Sequence, residues 1–351
     1  MPTIQDVAEL AGVSTALVSY VLNGTRRVSP ELRTRVEQAV QELDYKPNLV
    51  AKNLRKGETR SVVLLIPAIS NPFFSDIILG AEKCARRYGY HLLLCSTSED
   101  PANEEFYISV LLSRGVDGLL LAPTPDGLGH LEYLIQKKAS FVIIDRCLEE
   151  IPADQVFSDN IGGAEKAINH LIQLGHKKIG VIAGFSQVRS YTDRITGYRR
   201  ALEQHGLPFD ESLVVQADPT PEGGYWAIGE LLTRHPDITA VFSTSGMLTL
   251  GLIRFLRENG IAYPNQISIV DFDDPIWNPI FEPGITSVAQ KPYEMGERAM
   301  EFLVQRINAK RQQRHLPPRV VQLETKLVVR NSTGPPPDPL AKALRANLKR
   351  R

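Results

Sequence analysis

Several side chains that can bind hydroxyl groups fall where the sequence predicts strands to end. Asp145 ends the apolar run 141–145, and Asp273 follows the run 267–272. Because α/β sheets place ligand sites at the carboxyl ends of their strands, we expect these carboxylates to line a site. Carboxylates accept hydrogen bonds from hydroxyls, and an aromatic face such as Phe73, after the first predicted strand, stacks on C–H patches. This chemistry suits a polyol, although Asp145 could instead cap a strand end.

The first 45 residues have a different pattern, the spacing of a helix-turn-helix. Three short helices are predicted, with Thr3, Ser14 and Ser29 as N-caps, the last followed by proline. A small residue at the helix crossing, a turn glycine and four apolar positions fit together: Ala8, Gly12, Val7, Val13, Val18 and Val21. The second helix would present an outward face that can enter the major groove of DNA: Thr15, Ala16, Ser19 and Tyr20. Other small three-helix bundles share part of this spacing.

Charge is distributed unevenly although 40 basic and 40 acidic residues give a formal net charge of zero. Residues 1–60 hold nine Lys/Arg and seven Asp/Glu, and residues 335–351 hold five basic residues and one acid. A basic end on a neutral whole favours a nucleic-acid module carried on a non-binding body. The basic tail has Leu340, Leu344 and Leu348 four residues apart. It could be a frayed end, or a helix used for association or DNA contact.

From Ser61 onward, apolar runs of strand length alternate with amphipathic helical segments. Strands that are apolar on both faces require buried parallel sheets covered by helices. About ten such strands exceed one open sheet, so two similar α/β lobes are predicted. The expected boundaries are a headpiece at 1–46, a hinge and linker at 47–60, a core at 61–334 and a basic tail at 335–351. Within the core, the N-lobe would comprise 61–159 and 290–319, and the C-lobe 160–289 and 320–333.

Composition and motifs exclude several classes of protein. The chain has 351 residues, 43% hydrophobic and 23% charged, which is ordinary globular composition. The polar N-terminus has no signal-peptide core, and no apolar run approaches the roughly 20 residues of a membrane helix, so no membrane partner is expected. Three cysteines without metal-type spacing favour a reducing cytoplasm: Cys84, Cys95 and Cys147.

No pattern of enzyme chemistry is complete. The segment 127–129 lacks the third glycine of a dinucleotide loop, and no serine lies in a nucleophile elbow. His170 and His176 are six residues apart, which is wrong for two metal ligands on one helix face. We therefore expect no catalytic residues, no metal and no cofactor.

The N-terminal residues resemble the headpiece of the lactose/galactose-repressor (LacI/GalR) family. The resemblance lies in residues 3–14 (TIQDVAELAGVS), 18–24 (VSYVLNG), 43–48 (LDYKPN) and 51–55 (AKNLR), and it extends to Thr333. It implies a small all-α helix-turn-helix headpiece. It also implies an α/β periplasmic-binding-protein-like core of two doubly wound parallel-sheet lobes.

For DNA, the resemblance implies two groups of contacts. Phosphates would be held by hydroxyls, an amide or helix N-termini at Thr3, Ser14, Ser19, Asn23 and Ser29. Base edges would be contacted at Thr15, Ala16 and Tyr20. Tyr20 departs from the arginine that many members have, and a phenol cannot make the bidentate contact of arginine to guanine. Arg26, Arg27 and Lys46 would contact phosphates, or would form a solvated charge cluster.

Residues 48–56 resemble the hinge helix of the family. So short a helix is marginal alone in water and would need a partner copy and the minor groove to cover its apolar face. The resemblance makes Leu54 the wedge that unstacks the central base step, unless it is an ordinary interdomain contact. Lys52 lies where arginine is common, which should weaken anchoring in the minor groove.

In the core, the resemblance implies an effector held between the lobes. Arg194, three residues before Gly197, matches the family's most characteristic ligand arginine. Ser245 lies where the family commonly has an Asn-Asp pair. Trp277 could instead belong to a lobe core, and Gln290 could form a hinge hydrogen bond. Arg189 could bind a carboxylate or phosphate, hinting at a sugar acid, or could be a surface arginine. The expected effector residues are Phe73, Asp145, Arg194, Ser245, Asp273, Trp277 and Gln290.

The resemblance therefore predicts a homodimeric, cytoplasmic and nucleoid-associated regulator of transcription. It would bind a near-palindromic operator in double-stranded DNA and repress carbohydrate-utilisation genes under control of a sugar-like effector. Two alternatives stay open from the sequence. One is a regulator driven by a protein co-effector, as in the catabolite-control branch. The other is a soluble sugar-binding or sugar-modifying protein with an incidental helical N-terminus.

Overall fold

The computed structural model describes residues 2–24, 26–45, 58–125 and 127–337, with only the backbone described at Asn23. The chain divides into two compact units between Thr59 and Arg60. Lys46, Lys52 and Leu54 lie outside the described residues, as do the three leucines of the basic tail. No helix in the described ranges is long and apolar enough to cross a membrane.

The described residues of the first unit form three helices, α1 (Ile4–Ala11), α2 (Thr15–Asn23) and α3 (Pro30–Glu42). Thr3 and Asp6 form a capping box, in which Thr3 Oγ1 accepts from Asp6 N and the Asp6 carboxylate accepts from Thr3 N at 2.7 Å. Ser14 Oγ accepts from Leu17 N at 3.3 Å, so the predicted N-caps of α1 and α2 are confirmed. Ser29 precedes Pro30 as predicted but makes no side-chain cap.

Valine and alanine side chains form the core of this unit. Val7, Val18 and Val36 are fully buried, one from each helix. Gly12 ends α1 with a φ of 61°, and a Cβ there would lie 2.6 Å from the Arg35 guanidinium. That guanidinium donates to the Ala11 carbonyl at 2.5 Å, tying α3 to the end of α1. The predicted turn glycine is confirmed, because the left-handed backbone and the close arginine both disfavour a side chain.

In the part of the second unit that the structure describes, the strands form two six-stranded sheets. The first comprises β1 (Ser61–Ile66), β2 (His91–Ser96), β3 (Gly118–Leu121), β4 (Phe141–Ile144), β5 (Asp154–Ser158) and β11 (Val320–Leu323). Its order is β11-β5-β4-β3-β1-β2 and every pair is parallel. The second comprises β6 (Ile179–Ala183), β7 (Val214–Gln216), β8 (Ala240–Ser243), β9 (Ser268–Phe272), β10 (Thr286–Ala289) and β12 (Lys326–Val328). Its order is β12-β10-β9-β8-β6-β7, and only β12 is antiparallel to its neighbour.

Helices cover both faces of each sheet. In the N-lobe these are α4 (Pro72–Arg87), α5 (Pro101–Ser113), α6 (Leu128–Gln136) and α11 (Pro292–Arg311). In the C-lobe they are α7 (Asn160–Gln173), α8 (Arg189–Gln204), α9 (Pro221–Arg234) and α10 (Gly246–Glu258). Alternate residues of β1 enter different cores: Val62 and Leu64 pack with α4 and α11, whereas Val63 and Leu65 pack with α5 and α6. The predicted pair of doubly wound lobes is confirmed.

One helix pair in each lobe is held by reciprocal glycines. A Cβ on Gly80 of α4 would overlap the Tyr293 carbonyl of α11, and one on Gly296 would overlap the Ile77 carbonyl. In the C-lobe, Gly224 of α9 lies against the Leu248 carbonyl of α10, and Gly251 lies against the Pro221 carbonyl. Because the neighbouring backbone occupies the space of a Cβ at each of these glycines, no side chain fits there. The glycines therefore determine how closely the two helices of each pair approach.

Two predictions at the lobe boundary are wrong. Strand β5 was not expected, because Asp154 and Gln155 make its first half polar. Both are buried; Asp154 is paired with the distant Arg306, and Gln155 forms hydrogen bonds with Leu148 in the preceding loop. Residues 320–323 were assigned to the C-lobe but pair with β5 in the N-lobe sheet. The chain therefore passes between lobes after β5, after β10 and after β11, and only tertiary pairing reveals the third position.

Candidate functional site

The N-terminal end of α2 presents small side chains to solvent. Ser14, Thr15 and Ala16 are exposed, and Ser19 and Tyr20 are half-buried. The first turn of α2 carries no acidic residue, so no carboxylate neutralises the partial positive charge of the helix N-terminus. Thr3 and Ser29 are also exposed, and Asn23 ends α2. This face has the size and polarity needed to enter a groove and contact phosphates.

Tyr20 is paired with a basic side chain. The Arg26 guanidinium lies 4.9 Å from the centroid of the Tyr20 ring, within the range of a cation–π interaction. Arg26 and Arg27 are both exposed. The phenol at the position where arginine is common thus has an arginine stacked on it, supplied from the loop after α2.

A cleft between the two lobes collects most of the predicted effector residues. Six of the seven line one cavity: Phe73, Asp145, Arg194, Ser245, Asp273 and Gln290. Trp277 lines an adjoining cavity that shares Phe73, Asp273 and Gln290 with the first. Most of the predicted residues lie directly after a strand or at the start of a helix, as expected for the carboxyl ends of parallel strands. Arg194 lies in the second turn of α8, and Trp277 lies in the loop after β9.

The two halves of the cleft differ in size. The inner cavity has a free volume of about 30 Å³, far below the roughly 300–1,000 Å³ of typical small-molecule sites. The adjoining cavity has about 450 Å³, which is within the range of small-molecule sites. A sugar that reaches the inner residues therefore requires side chains or lobes to move apart.

Arg194 is held rigidly at the C-lobe side of the cleft. Its Nε donates to Asn160 Oδ1 at 2.9 Å and its Nη1 donates to the Thr244 carbonyl at 2.6 Å. The guanidinium lies 3.8 Å from the centroid of the Phe272 ring. One turn later, Gly197 of α8 lies against the Ile161 carbonyl, so α8 approaches α7 closely enough for Arg194 to reach Asn160.

The two strand-end aspartates have left-handed backbones, with φ of 66° at Asp145 and 116° at Asp273. Asp273 accepts from Gly246 N at 3.2 Å and from Gln290 Nε2 at 2.5 Å. Burial raises the pKa of Asp273, partly opposed by Arg194. Burial also raises the pKa of Asp145 to about 6, although Arg146 and Arg194 oppose it. Backbone strain and buried charge together mark this edge as a site under functional constraint.

The alternatives stated for single residues have mixed outcomes. Gln290 both lines the cavity and forms a hydrogen bond to Asp273. Ser245 caps α10 by accepting from Met247 N at 3.4 Å and also lines the cavity. Trp277 lies on the cavity wall rather than in a lobe core of the described residues.

Glu99 and Arg146 line the cavity but were not predicted as site residues. Arg146 Nη2 donates to Glu99 Oε1 at 2.5 Å, and Nη1 donates to the Pro123 carbonyl. Arg146 directly follows Asp145, and Glu99 follows β2 by three residues. The strand-end rule that selected Asp145 would have selected both.

Arg189 lies outside the cavity. Its Nε donates to Asp193 at 2.8 Å and its Nη2 contacts Glu149 at 3.3 Å, so its charge is already paired near the surface. The hint of a sugar acid drawn from this arginine therefore has no support in its position.

The two histidines have structural partners. His176 is buried between Thr239 and Ser268, and His170 contacts Thr333. Burial lowers the pKa of both imidazoles. Within the described ranges, no group of His, Cys, Asp or Glu side chains has the arrangement of a metal site.

Two families match the chain. Residues 59–329 match the periplasmic binding proteins and sugar binding domain of the LacI family. Residues 3–48 match the bacterial regulatory proteins of the lacI family. The two matched ranges correspond closely to the two compact units described above.

Among curated proteins, the HTH-type transcriptional regulator DegA of Bacillus subtilis (strain 168) is 35% identical over 95% of this chain and 98% of its own. The HTH-type transcriptional repressor PurR of Actinobacillus pleuropneumoniae serotype 3 (strain JL03) is 32% identical over the same shares.

Two solved structures resemble this chain and contain sugars. The complex of the transcriptional regulator CelR with cellobiose is 34% identical, with a TM-score of 0.71, covering 95% of this chain and 100% of that one. A LacI family transcriptional regulator from Enterococcus faecium with bound ribose is 28% identical, with a TM-score of 0.71, covering 78% and 99%.

Proposed function

The chain belongs to the LacI family of bacterial regulatory proteins, and on that basis we propose that it is a sequence-specific transcription regulator. It represses carbohydrate-utilisation genes, and a small sugar-like effector in the interlobe cleft controls its affinity for the operator. Its action is binding rather than catalysis, and it takes place in the cytoplasm, at the nucleoid.

One observation carries this proposal. Six polar or aromatic residues from both lobes and one crossover converge on a single cavity, in a chain whose separate N-terminal unit is a helix-turn-helix. A ligand that contacts both lobes binds their possible arrangements unequally, and only unequal binding shifts an equilibrium. CelR with cellobiose and the Enterococcus faecium regulator with ribose support a carbohydrate as the effector class.

On the DNA, two copies of the chain would place their headpieces on the half-sites of a near-palindrome. The exposed residues at the start of α2 would contact base edges, with Tyr20 and Arg26 acting together. Thr3, Ser14, Ser19, Asn23 and Ser29 would contact phosphates. In the hinge, Leu54 would wedge the central base step and Lys52 would enter the minor groove.

Selection of genomic fragments by the full-length protein tests this function. We expect enrichment of near-palindromic fragments, and a change in their affinity when one of a panel of sugars is added. Absence of any preferred fragment, with and without sugars, would contradict the proposal.

A matched pair of variants separates sugar sensing from DNA binding. Arg194→Lys should keep operator affinity but lose sugar affinity by about tenfold or more, because lysine cannot hold both Asn160 and Thr244. Arg189→Lys is the control, since Arg189 lies outside the cavity. Circular dichroism melting checks that both variants fold. An unchanged sugar response in Arg194→Lys would remove this residue from the site.

A further inference from the structure

Basic residues are concentrated where the strands of the N-lobe sheet begin. Strands β1 to β4 are parallel neighbours, so their first residues share one edge of the sheet. The segments before these strands and the end of α11 hold seven Lys/Arg and two Asp/Glu, in residues 58–61, 88–91, 113–117, 136–140 and 309–315. We call these segments the basic edge, and its Lys and Arg residues are Arg60, Arg114, Lys137, Lys138, Lys310, Arg311 and Arg314. Six of the seven are exposed, and Arg60 is half-buried.

Hydrogen bonds join these segments into one surface. Lys310 Nζ donates to the Lys138 carbonyl at 2.7 Å, which brings the end of α11 to the beginning of β4. The next residue, Arg311, donates to Asp117 Oδ2 at 3.2 Å. The same oxygen accepts from Arg60 N at 2.9 Å. Basic residues from separate parts of the chain therefore lie side by side along the edge.

Most of the positive charge on the basic edge is not neutralised. Asp117 is paired with Arg311. In the part of the chain that the structure describes, the other exposed basic side chains of the edge form no ion pair with a carboxylate: Arg114, Lys137, Lys138, Lys310 and Arg314. The core as a whole is acidic, since residues 61–334 hold 26 Lys/Arg and 32 Asp/Glu. The basic edge is thus a local reversal of charge, and it fits a partner with several negative charges.

The C-lobe has the same architecture without this charge. The segments before its parallel strands β6 to β10 hold two Lys/Arg and four Asp/Glu, in residues 175–178, 210–213, 235–239, 264–267 and 282–285. One of the two lysines, Lys178, is paired with Asp237 at 2.6 Å. Basic residues at helix ends stabilise helices through the helix dipole, but both lobes have such helix ends at this edge. The basic edge is therefore not a by-product of the doubly wound fold.

The connection of the chain favours DNA as the anionic partner. Arg60 is the first residue of the second unit, so the polypeptide from the helix-turn-helix unit joins the core at the basic edge. DNA bound by the headpiece is consequently tethered to this edge, at an effective concentration that a free acidic protein does not reach. Duplex DNA presents closely spaced phosphates, and Lys and Arg side chains contact phosphates whatever the sequence.

Resting on the proposed function, we propose that the basic edge of the N-lobe is a second DNA contact, which binds phosphates of the duplex that the headpiece holds. It adds affinity without sequence preference, because its side chains contact phosphates and not bases. A few phosphate contacts bind weakly by themselves. The basic edge therefore strengthens binding by the headpiece and does not replace it.

Two neighbouring lysines in each lobe give a matched test in the full-length protein. Lys137→Gln with Lys138→Gln removes two charges from the basic edge, just before β4. Lys177→Gln with Lys178→Gln is the control, because these lysines lie just before β6 at the same edge of the C-lobe. The probes are a fragment preferred in the genomic selection and a mixed-sequence duplex of the same length. Fluorescence anisotropy at several salt concentrations measures both affinities.

We expect the N-lobe double variant to bind both duplexes more weakly by the same factor, about tenfold or more at low salt. The slope of log affinity against log salt concentration should become shallower by about 2, since each lost phosphate contact removes about 0.9. The C-lobe double variant should bind both duplexes like the wild type. Sugar affinity and melting temperature should stay unchanged in both variants, which separates lost DNA contacts from misfolding.

DNA binding by the N-lobe double variant that equals that of the C-lobe control would overturn the inference and leave the proposed regulator intact. The basic edge would then serve an acidic protein or helix stability alone. A loss confined to the preferred fragment would also overturn it, because phosphate contacts do not distinguish sequences. If the wild type prefers no fragment, the proposed function fails, and the salt dependence on the mixed-sequence duplex still decides whether the basic edge binds DNA.

Discussion

At the scale of single residues, Asp145 and Asp154 are both buried carboxylates, and their surroundings give them opposite properties. Burial raises the pKa of Asp145 to about 6 from its ordinary value of 3.8. Burial acts on Asp154 in the same direction, but hydrogen bonds from Arg306 and Arg319 outweigh it and lower the pKa of Asp154. Arg306 contacts both oxygens of Asp154 at 2.8 Å. Asp154 is thus a structural ion-pair residue, whereas Asp145 carries a charge that destabilises the fold.

Asp145→Asn should therefore stabilise the core. At pH 8 we expect the free energy of unfolding to rise by about 1–3 kcal/mol, because a buried charge is removed. The native carboxyl takes up its proton at a higher pH than the unfolded one, so the wild type gains stability as pH falls from about 6 to about 4. The difference between variant and wild type should shrink over that range. Urea unfolding of the variant and the wild type at several pH values measures this difference in the free energy of unfolding.

Asp154→Asn provides the opposite control. Its loss of two arginine partners should lower the free energy of unfolding at pH 8 by about 3 kcal/mol or more. If Asp145→Asn destabilises the protein as well, the charge of Asp145 is compensated in the folded state and the physical argument fails.

At the scale of elements, helix spacing in both lobes depends on glycines that meet a neighbouring backbone. Gly251 of α10 lies against the Pro221 carbonyl of α9, and Gly224 lies against Leu248. The same arrangement holds α4 to α11 through Gly80 and Gly296. These helices cover the sheets whose strand ends form the cleft, so their spacing also determines where the cleft residues lie.

Gly251→Ala should destabilise the C-lobe. The added methyl group overlaps a backbone carbonyl, which cannot rotate away, and the expected loss is about 3 kcal/mol. Gly129→Ala is the matched control, because Gly129 lies in α6 and a Cβ there meets nothing within 4 Å. It should stabilise the N-lobe by up to about 1 kcal/mol through helix propensity. Denaturant unfolding of both variants compares the two, and equal effects would contradict the packing argument.

At the scale of the whole molecule, the chain consists of a small helical unit and a two-lobed core. In the core, the chain crosses from one lobe to the other after β5, after β10 and after β11. Residues of both lobes line the cavity, together with Gln290, which lies in the crossing after β10. Every described residue that lines it belongs to the second unit. Sugar binding should therefore not depend on the headpiece.

Deletion of residues 1–59 tests this separation. The remaining chain should bind sugar with an affinity within about twofold of the full-length protein, since its site is intact. Operator binding and its dependence on salt should disappear, because the contacts with phosphates are gone. Thermal shift with sugar and fluorescence anisotropy with DNA measure the two properties. Operator binding that persists after the deletion would place the DNA site elsewhere.

Local features of this protein were predictable from the sequence, because they depend on neighbouring residues. The capping box at Thr3, the cap at Ser14 and the turn at Gly12 each involve residues within about one helical turn. The alternation of apolar runs and helices predicted two parallel-sheet lobes, and strand ends predicted Asp145 and Asp273 at one cavity. The roles of these residues toward a ligand stay predictions.

Only the tertiary structure decided the features that join distant segments. Strand β5 looks polar in sequence because Asp154 and Gln155 begin it, and Arg306, which neutralises Asp154, is 152 residues away. Val320–Leu323 was assigned to the wrong lobe, because its pairing with β5 is not visible in the sequence. Likewise, Arg146 meets Glu99 across 47 residues, and Arg189, which lies outside the cavity, is paired with Glu149 across 40 residues. Burial and charge compensation depend on which side chains meet in space, and the spacing of residues along the chain does not show which distant side chains are in contact.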